Sequence, residues 1–304
     1  MSPRVVTALH ALRRRLLSQQ WFTSAVLPAI PRPVRWTLRK LYFLPSDLID
    51  RVIGHREEMI PPKSMIFTGS VDDFKSSGEA LVHRLVNFGG LTPDSKVLDI
   101  GCGMGRVAVA LTSYLNANGS YEGFDIVPSG IKWCSDNIAS RYPNFHFTLA
   151  DVYNKEYHPS GRLEPSEYRF PYADETFDLV VLASVFTHML PGDMEHYIAE
   201  ISRVLKKGGR CYASYSLINT ESRRAMESGQ SSLRFKRHSG PFWVVDSKVP
   251  ELAVGYDEPY VRDLYEQHAL SGQCRVYYGS WSGRPPLSSE QSGFSQDIVV
   301  TAKQ

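Results

Sequence analysis

Several features that assign a chain to a class early are missing from these 304 residues. There is no low-complexity tract and no internal repeat, which excludes fibrous and solenoid architectures. No apolar run approaches the roughly 20 residues that a membrane span requires, and the N-terminus lacks the apolar core of a secretory signal. These absences predict a globular, cytoplasmic protein.

Cysteine is also scarce. The four cysteines (Cys102, Cys134, Cys211 and Cys274) lie far apart and form no CxxC pair. That spacing argues against a zinc site and predicts free thiols in a reducing compartment. No cluster of metal-ligating residues stands out, so no metal is predicted, although a single Asp-rich site stays open.

Acidic residues are absent from positions 1–46, which carry eight Arg or Lys. The remainder has 26 bases against 32 acids, so the overall charge of +2 hides a basic N-terminus on a mildly acidic body. Two stretches, 5–22 and 34–43, have amphipathic helical spacing. We predict a basic helical extension over 1–74. It either folds onto the main domain, lies on an anionic membrane surface, or is a transit peptide.

From about residue 75, helical and strand patterns alternate. Strands separated by helices of ordinary length predict βαβ units. We expect an α/β fold over 75–304: a doubly wound, Rossmann-like, seven-stranded sheet with helices on both faces and an antiparallel last strand. The polar and basic segment 219–250 shows little periodicity and is interpreted as a long loop, part of a lid or substrate insert at about 217–250.

The segment "VLDIGCGMGR" places a glycine-rich turn between the first strand and its helix. Glycines at 101, 103 and 105 allow positive φ and close approach of a ligand to the main chain. The spacing is GxGxG, and Arg106 stands where a dinucleotide fingerprint has its third glycine. By itself this turn indicates nucleotide binding of some kind.

Acidic residues lie at or near the carboxyl ends of the first three strands. Asp99 lies near the end of the first strand, Asp125 ends the second, and Asp151 follows the third. Carboxyl ends of parallel strands share one sheet edge, where an open α/β sheet binds ligands. Asp125 is placed to accept both hydroxyls of a ribose, and Asp151 to accept from an adenine amine. Each could instead be a helix N-cap or turn residue.

Together with "GFDIVPSGI", "LADV" and "FDLVVLASVFTHM", these motifs resemble class I S-adenosylmethionine-dependent methyltransferases over roughly residues 78–216. Within that family, the sequence resembles bacterial members that act on sugars or secondary metabolites. The insert 153–173 departs from the simplest members. The resemblance implies S-adenosylmethionine as cofactor and S-adenosylhomocysteine as product. It also implies a set of cofactor-binding residues: Asp99, Gly101, Cys102, Gly103 and Gly105 beneath the methionine part, Asp125 on the ribose, Ile126 against adenine, and Asp151 with Val152 at the adenine edge.

Three histidines are candidates for a general base. His188 follows the fourth strand at the reactive end of the expected cleft, and imidazole titrates near neutral pH. It could instead hydrogen-bond a loop carbonyl. His196 lies in the next helix and is expected on the surface, whereas His158 lies on the insert and could face the substrate.

The acceptor is approached by elimination. After the fourth strand the sequence reads Ser184-Val185-Phe186-Thr187, not the Asn/Asp-Pro-Pro-aromatic turn of amino-methylating nucleic-acid enzymes. No Pro-Cys pair occurs, and the paired glutamates of arginine methylators are absent. We therefore expect an O-methyltransferase acting on a hydroxyl of a small molecule or glycan. An RNA methyltransferase using the basic N-terminus, or a non-catalytic cofactor-binding subunit, stays open, as does the oligomeric state.

Overall fold

The computed structural model divides the chain into two compact units, Met1–Asp72 and Asp73–Gln304. The residues that it describes are 32–53, 57–67, 71, 73–155, 157–285 and 293–304. The helix expected over 5–22 lies outside these residues. None of the described helices is long and apolar enough to cross a membrane.

In the first unit, the stretch expected to be helical over 34–43 belongs to a longer helix, α1 (Arg32–Ile53). One face of α1 holds the segment 57–67. The carboxylate oxygens of Asp47 accept the backbone N–H groups of Lys63 (2.7 Å) and Ser64 (3.1 Å). Arg39 donates to the carbonyl of Ile66. The acidic side chains of the helix are therefore directed at its own following segment.

The second unit is built on strands that follow the predicted pattern. Within the described residues there are eleven: β1 (Lys96–Ile100), β2 (Ser120–Asp125), β3 (Phe145–Leu149), β4 (Phe177–Leu182), β5 (Leu205–Tyr215), β6 (Leu217–Ile218), β7 (Lys236–Ser239), β8 (Phe242–Val244), β9 (Val254–Asp257), β10 (Gly272–Tyr277) and β11 (Asp297–Ala302).

Seven of these strands form one sheet in the order β10-β11-β5-β4-β1-β2-β3. Strands β1 to β5 pair in parallel, and β11 runs antiparallel to β5. The predicted seven-stranded α/β sheet with an antiparallel last strand is confirmed. Central strands are mostly buried, as expected where helices cover both faces, and β4 has four consecutive buried apolar residues from Leu179 to Leu182. The strand order reverses between β1 and β4, which sets the ligand-binding crevice there.

Helices connect the strands. They are α2 (Phe74–Asn87), α3 (Arg106–Leu111), α4 (Pro128–Cys134), α5 (Pro191–Val204), α6 (Thr220–Glu227) and α7 (Glu258–Gln267). Two helices have ends that tertiary contacts decide. Helix α4 passes into a π-helical segment, Ser135–Ala139. Helix α5 ends at Val204, ahead of Gly208, because Leu205 already pairs with Phe177 in the sheet.

The expectation of a long loop over 219–250 is wrong. This segment contains α6, β7 and β8, and with β6 and β9 the strands form a second sheet in the order β6-β9-β8-β7, here named the cap sheet. Phe242 and Val244 point inward and are buried, whereas the four residues of β7 are all exposed. Strands this short offer too few alternating residues for their period to be recognised.

The insert 153–173 is tied to α5 by a buried ion-pair network. Glu200 accepts the backbone N–H of Phe170 (2.8 Å) and a short contact of 2.6 Å from Arg203. Arg203 also donates to Asp174 (2.8 Å) and to the carbonyls of Phe170 and Tyr172. The guanidinium therefore fixes the end of the insert against the helix.

We expect Arg203→Ala to destabilise the second unit by about 2–4 kcal/mol, because it leaves the buried Glu200 carboxylate without its counter-ion and removes one donor from each of two carbonyls. Thermal and denaturant unfolding would measure the change. The matched control is Lys207→Ala at a nearby exposed cation. Equal unfolding midpoints for the two variants would contradict this role.

Candidate functional site

The glycine turn lies at the carboxyl end of β1, beside the point where the strand order reverses. Gly101, Gly103 and Gly105 all have left-handed backbone, with φ of 76°, 58° and 74°. A Cβ at Gly101 would lie 2.6 Å from Cγ2 of Val185, and one at Gly105 would lie 2.9 Å from Sγ of Cys134. Two of the three glycines are thus required by the protein's own packing as well as by φ. Gly101 is nevertheless exposed, so its main chain faces the crevice.

The end of β2 holds this turn in place. The carbonyl of Phe124 accepts the N–H groups of Gly101 (2.8 Å) and Cys102 (3.1 Å). The carboxylate of Asp125 accepts from Gly103 (2.8 Å) through Oδ2 and from Val127 (2.8 Å) through Oδ1. A carboxylate offers about four acceptor positions, so the Asp125 carboxylate keeps capacity for a further donor.

Asp99 and Asp125 form a buried acidic pair, 2% and 7% exposed. The hydroxyl of Tyr121 donates to Asp99 (2.7 Å). The pKa of Asp99 is raised to about 7. Burial is the main cause and the neighbouring Asp125 charge adds to it, while the hydrogen bond from Tyr121 acts in the opposite direction. Burial also raises the pKa of Asp125, against three backbone hydrogen bonds. Among the described residues no Lys, Arg or His forms an ion pair with either group.

Asp151, by contrast, is engaged by the insert. Arg162 donates to its Oδ2, and Nε2 of His158 lies 3.2 Å from Oδ1. These hydrogen bonds, first from Arg162 and then from His158, lower the pKa of the Asp151 carboxyl. His158 is mostly buried against Asp151, so its ring is directed at this carboxylate.

The two apolar residues of the expected adenine site differ. Ile126 is partly exposed at the end of β2, where it leaves an apolar surface. Val152 is buried in the core and bridges to Leu163 through its main chain. Only the backbone of Val152 is therefore available at the sheet edge.

His188 lies on a single 3₁₀ turn, Phe186–His188, after β4. The ring of Phe186 is fully buried and stacks on Tyr215 with centroids 5.1 Å apart, which anchors the turn. Nδ1 of His188 lies 2.9 Å from the carbonyl of Glu251 in the cap segment. Because a carbonyl can only accept, Nδ1 carries the proton and Nε2 of the neutral ring keeps its lone pair. The anticipated loop-carbonyl bond is present, and it leaves a basic nitrogen free.

His196 is partly buried, and its Nε2 donates to the carbonyl of Tyr168 (3.0 Å). It therefore connects α5 to the insert.

A polar network beside His188 has no sequence signature. Ser184 has φ of 64°, a strained value for a non-glycine residue, directly after β4. Its N–H donates to Oγ of Ser214 (2.7 Å), and its hydroxyl donates to Gln296 (2.9 Å). Gln296 in turn donates to Thr187 (3.4 Å). Ser214, Gln296 and Thr187 thus form a network that holds the exposed Ser184 at the mouth of the crevice. The positive φ of Ser184, which the sequence does not reveal, is what draws attention to this residue.

Comparison with known proteins identifies the family to which the chain belongs. Residues 91–261, more than half of the chain, match a family described as "Methyltransferase domain". The methyltransferase GfsG of Streptomyces halstedii is 27% identical over 46% of this chain and 45% of that protein. The mouse tRNA N(3)-cytidine methyltransferase METTL2 is 25% identical over 62% of this chain and 42% of that protein. The chain thus spans less than half the length of these two relatives.

Among solved structures, protein PH0226 of Pyrococcus horikoshii OT3 superposes with a TM-score of 0.50 at 16% identity, covering 76% of this chain and 92% of that one. This likeness concerns the fold. The chain belongs to the methyltransferase-domain family.

The residues present fit S-adenosylmethionine, the cofactor implied by the resemblance to class I methyltransferases. Two buried carboxylates that form no ion pair with the other described residues suit a ligand that brings its own positive charge, as a sulfonium and an ammonium do. The spare acceptor capacity of Asp125 and the exposed main chain of Gly101 add polar and close-approach surface.

We expect Asp99 to make stability depend on pH. Because its pKa is raised to about 7 in the folded state, the folded protein binds an additional proton between about pH 4 and 7, and stability falls as pH rises through that window. Asp99→Asn should therefore stabilise the protein by only about 1–2 kcal/mol at about pH 5 and by up to about 4 kcal/mol at about pH 8. Unfolding curves at both pH values would measure this. Asp136→Asn, at an exposed ion pair, serves as control, and a pH-independent difference would refute the assignment.

Proposed function

We propose that the enzyme transfers a methyl group to a hydroxyl of a small-molecule or glycan acceptor, with His188 as general base. The observation that carries this proposal is the hydrogen bond from Nδ1 of His188 to the carbonyl of Glu251, since it orients a basic Nε2 at the end of β4. S-adenosylmethionine, when bound, supplies a methyl group already activated by a cationic sulfur. The protein has then to position the acceptor and take its proton.

The residues proposed to hold the cofactor lie along the ends of β1 to β3. Main-chain groups of Gly101 to Gly105 and the negative charge of Asp99 serve its charged methionine part. Asp125 accepts the ribose hydroxyls, and Ile126 packs against the adenine ring. Asp151 reaches the adenine edge with its carboxylate, whose Oδ2 also accepts from Arg162 and whose Oδ1 also contacts His158. The buried negative charge on Asp99 and Asp125 supports this arrangement, because a cationic ligand relieves it.

The acceptor is placed over the β1–β4 crevice, between the glycine turn and the cap sheet. Ala183 and Ser184 are exposed there. The hydroxyl of Tyr256 in β9 donates to the carbonyl of Met189 (2.6 Å), so the cap sheet is attached directly to the segment that carries His188. This contact supports a role for residues 217–257 as the substrate-binding region, with Nε2 of His188 accepting the acceptor's hydroxyl proton.

RNA is the competing acceptor, because one relative is a tRNA methyltransferase and residues 1–46 are basic. Transfer of radiolabelled methyl to hydroxylated glycans and metabolites, run beside bulk tRNA, decides between the two. We expect label in the hydroxylated pool. Label in tRNA, with affinity that falls steeply as salt rises, would replace this proposal with the RNA function.

We expect Asp125→Asn to weaken binding of S-adenosylhomocysteine by roughly 10-fold to 150-fold, equivalent to 1.5–3 kcal/mol for a charged hydrogen-bond acceptor. Asparagine keeps the shape and one acceptor for the Gly103 N–H, so the turn is retained. Isothermal titration calorimetry measures the affinity, with Asp136→Asn as the matched surface control. Equal affinities for the two variants would remove Asp125 from the ribose site.

We expect His188→Gln to lower kcat by roughly 10²-fold or more while cofactor affinity is unchanged, because glutamine cannot take the proton. The limb of the kcat–pH profile that reports the base should vanish as well. His196→Gln, at a histidine that joins α5 to the insert, is the control. Turnover of His188→Gln near that of the wild type would make His188 structural only.

A further inference from the structure

Helix α1 carries an apolar stripe on the face opposite its own contacts. Arg39, Asp47 and Asp50 share one helix face and contact the segment 57–67. The apolar residues of the opposite face recur in steps of three and four from Val34 to Leu48, with Ile49 beside them, and are about half exposed: Val34 46%, Leu38 54%, Leu41 60%, Leu44 49%, Leu48 52% and Ile49 47%.

This stripe is long and continuous. A helix of 22 residues measures about 33 Å, and the six exposed apolar side chains span most of it. Single exposed apolar residues are ordinary, but a contiguous row marks a contact surface. The helix is too polar to span a bilayer, which restricts a membrane contact to its surface.

Charge selects among the possible occupants. Residues 1–46 hold eight bases and no acid. The two acids of α1, Asp47 and Asp50, face the segment 57–67 and hold Lys63 and Ser64. A second copy would bring two strongly basic segments together, at an electrostatic cost. An anionic lipid surface instead attracts the basic residues and, at the same time, buries the apolar stripe. Nucleic acid would also be attracted by the basic residues, but its phosphates offer no partner for an apolar helix face.

We propose that α1 docks the protein on the surface of an anionic lipid bilayer, with the stripe Val34–Ile49 inserted at the boundary between headgroups and acyl chains. This role is independent of the methyl acceptor, so it stands or falls separately from the proposed reaction.

The test is flotation of the full-length protein with vesicles. We expect binding to vesicles of phosphatidylcholine mixed with phosphatidylglycerol, little binding to phosphatidylcholine alone, and weaker binding as salt rises. Leu41→Glu should lower the partition coefficient at least about tenfold, because it puts a charge into the inserted face. Leu163→Glu, the same change at an exposed leucine of the second unit, should not.

An independent readout uses a fluorophore that responds to polarity. Leu48→Cys is labelled with nitrobenzoxadiazole in a Cys274→Ser background, since the other three cysteines are buried. We expect a blue shift with anionic vesicles only. Equal partitioning of Leu41→Glu and Leu163→Glu, equal binding to neutral vesicles, or a dimer in solution that Leu41→Glu dissociates would each overturn the proposal. Unchanged circular dichroism confirms that the variants are folded.

Discussion

The contact on which the site depends is the one between the end of β2 and the turn after β1. Phe124 and Asp125 accept three consecutive N–H groups, those of Gly101, Cys102 and Gly103. These bonds fix a backbone with positive φ that the glycines permit but do not themselves impose. The same carboxylate is also the one proposed to hold the ribose. In the proposed site Asp125 both supports the turn and binds the ligand, which explains why it is buried although it is charged.

Burial of this pair has an electrostatic consequence for the whole site. Asp99 and Asp125 lie close together, neither forms an ion pair with a cation among the described residues, and burial raises the pKa of both. In the proposed site, the positive charge of the cofactor offsets this unfavourable charge. Such a site favours a positively charged ligand over a neutral product.

The parallel sheet could be predicted because its strands are short apolar runs buried on both faces, such as 179–182. Helix ends and the cap sheet could not, because tertiary contacts decide them. Leu205 leaves α5 to pair with Phe177, and Phe242 and Val244 are inward-facing residues in a strand of only three. At the site, the sequence predicts Asp99, Asp125 and His188 near the carboxyl ends of β1, β2 and β4, where the structure has them. The contact of Arg162 with Asp151 depends on the conformation of the insert, and the strained backbone of Ser184 depends on the distant residues Ser214 and Gln296, so neither leaves a local pattern.

The two sides of the crevice are built differently, and this separates their tasks. The cofactor side consists of main chain and buried acids held by neighbouring strands of the rigid sheet. The other side is joined to the turn after β4 by hydrogen bonds from His188 to Glu251 and from Tyr256 to Met189. Its buried residues Phe242, Val244 and Tyr256 belong to the main hydrophobic core. In the proposed reaction the acceptor is bound on this side, so a change of acceptor can leave the proposed cofactor residues unaltered. The hydrogen bond from His188 to Glu251 makes the orientation of the proposed base depend on the cap, so that acceptor binding there can act directly on the group that takes its proton.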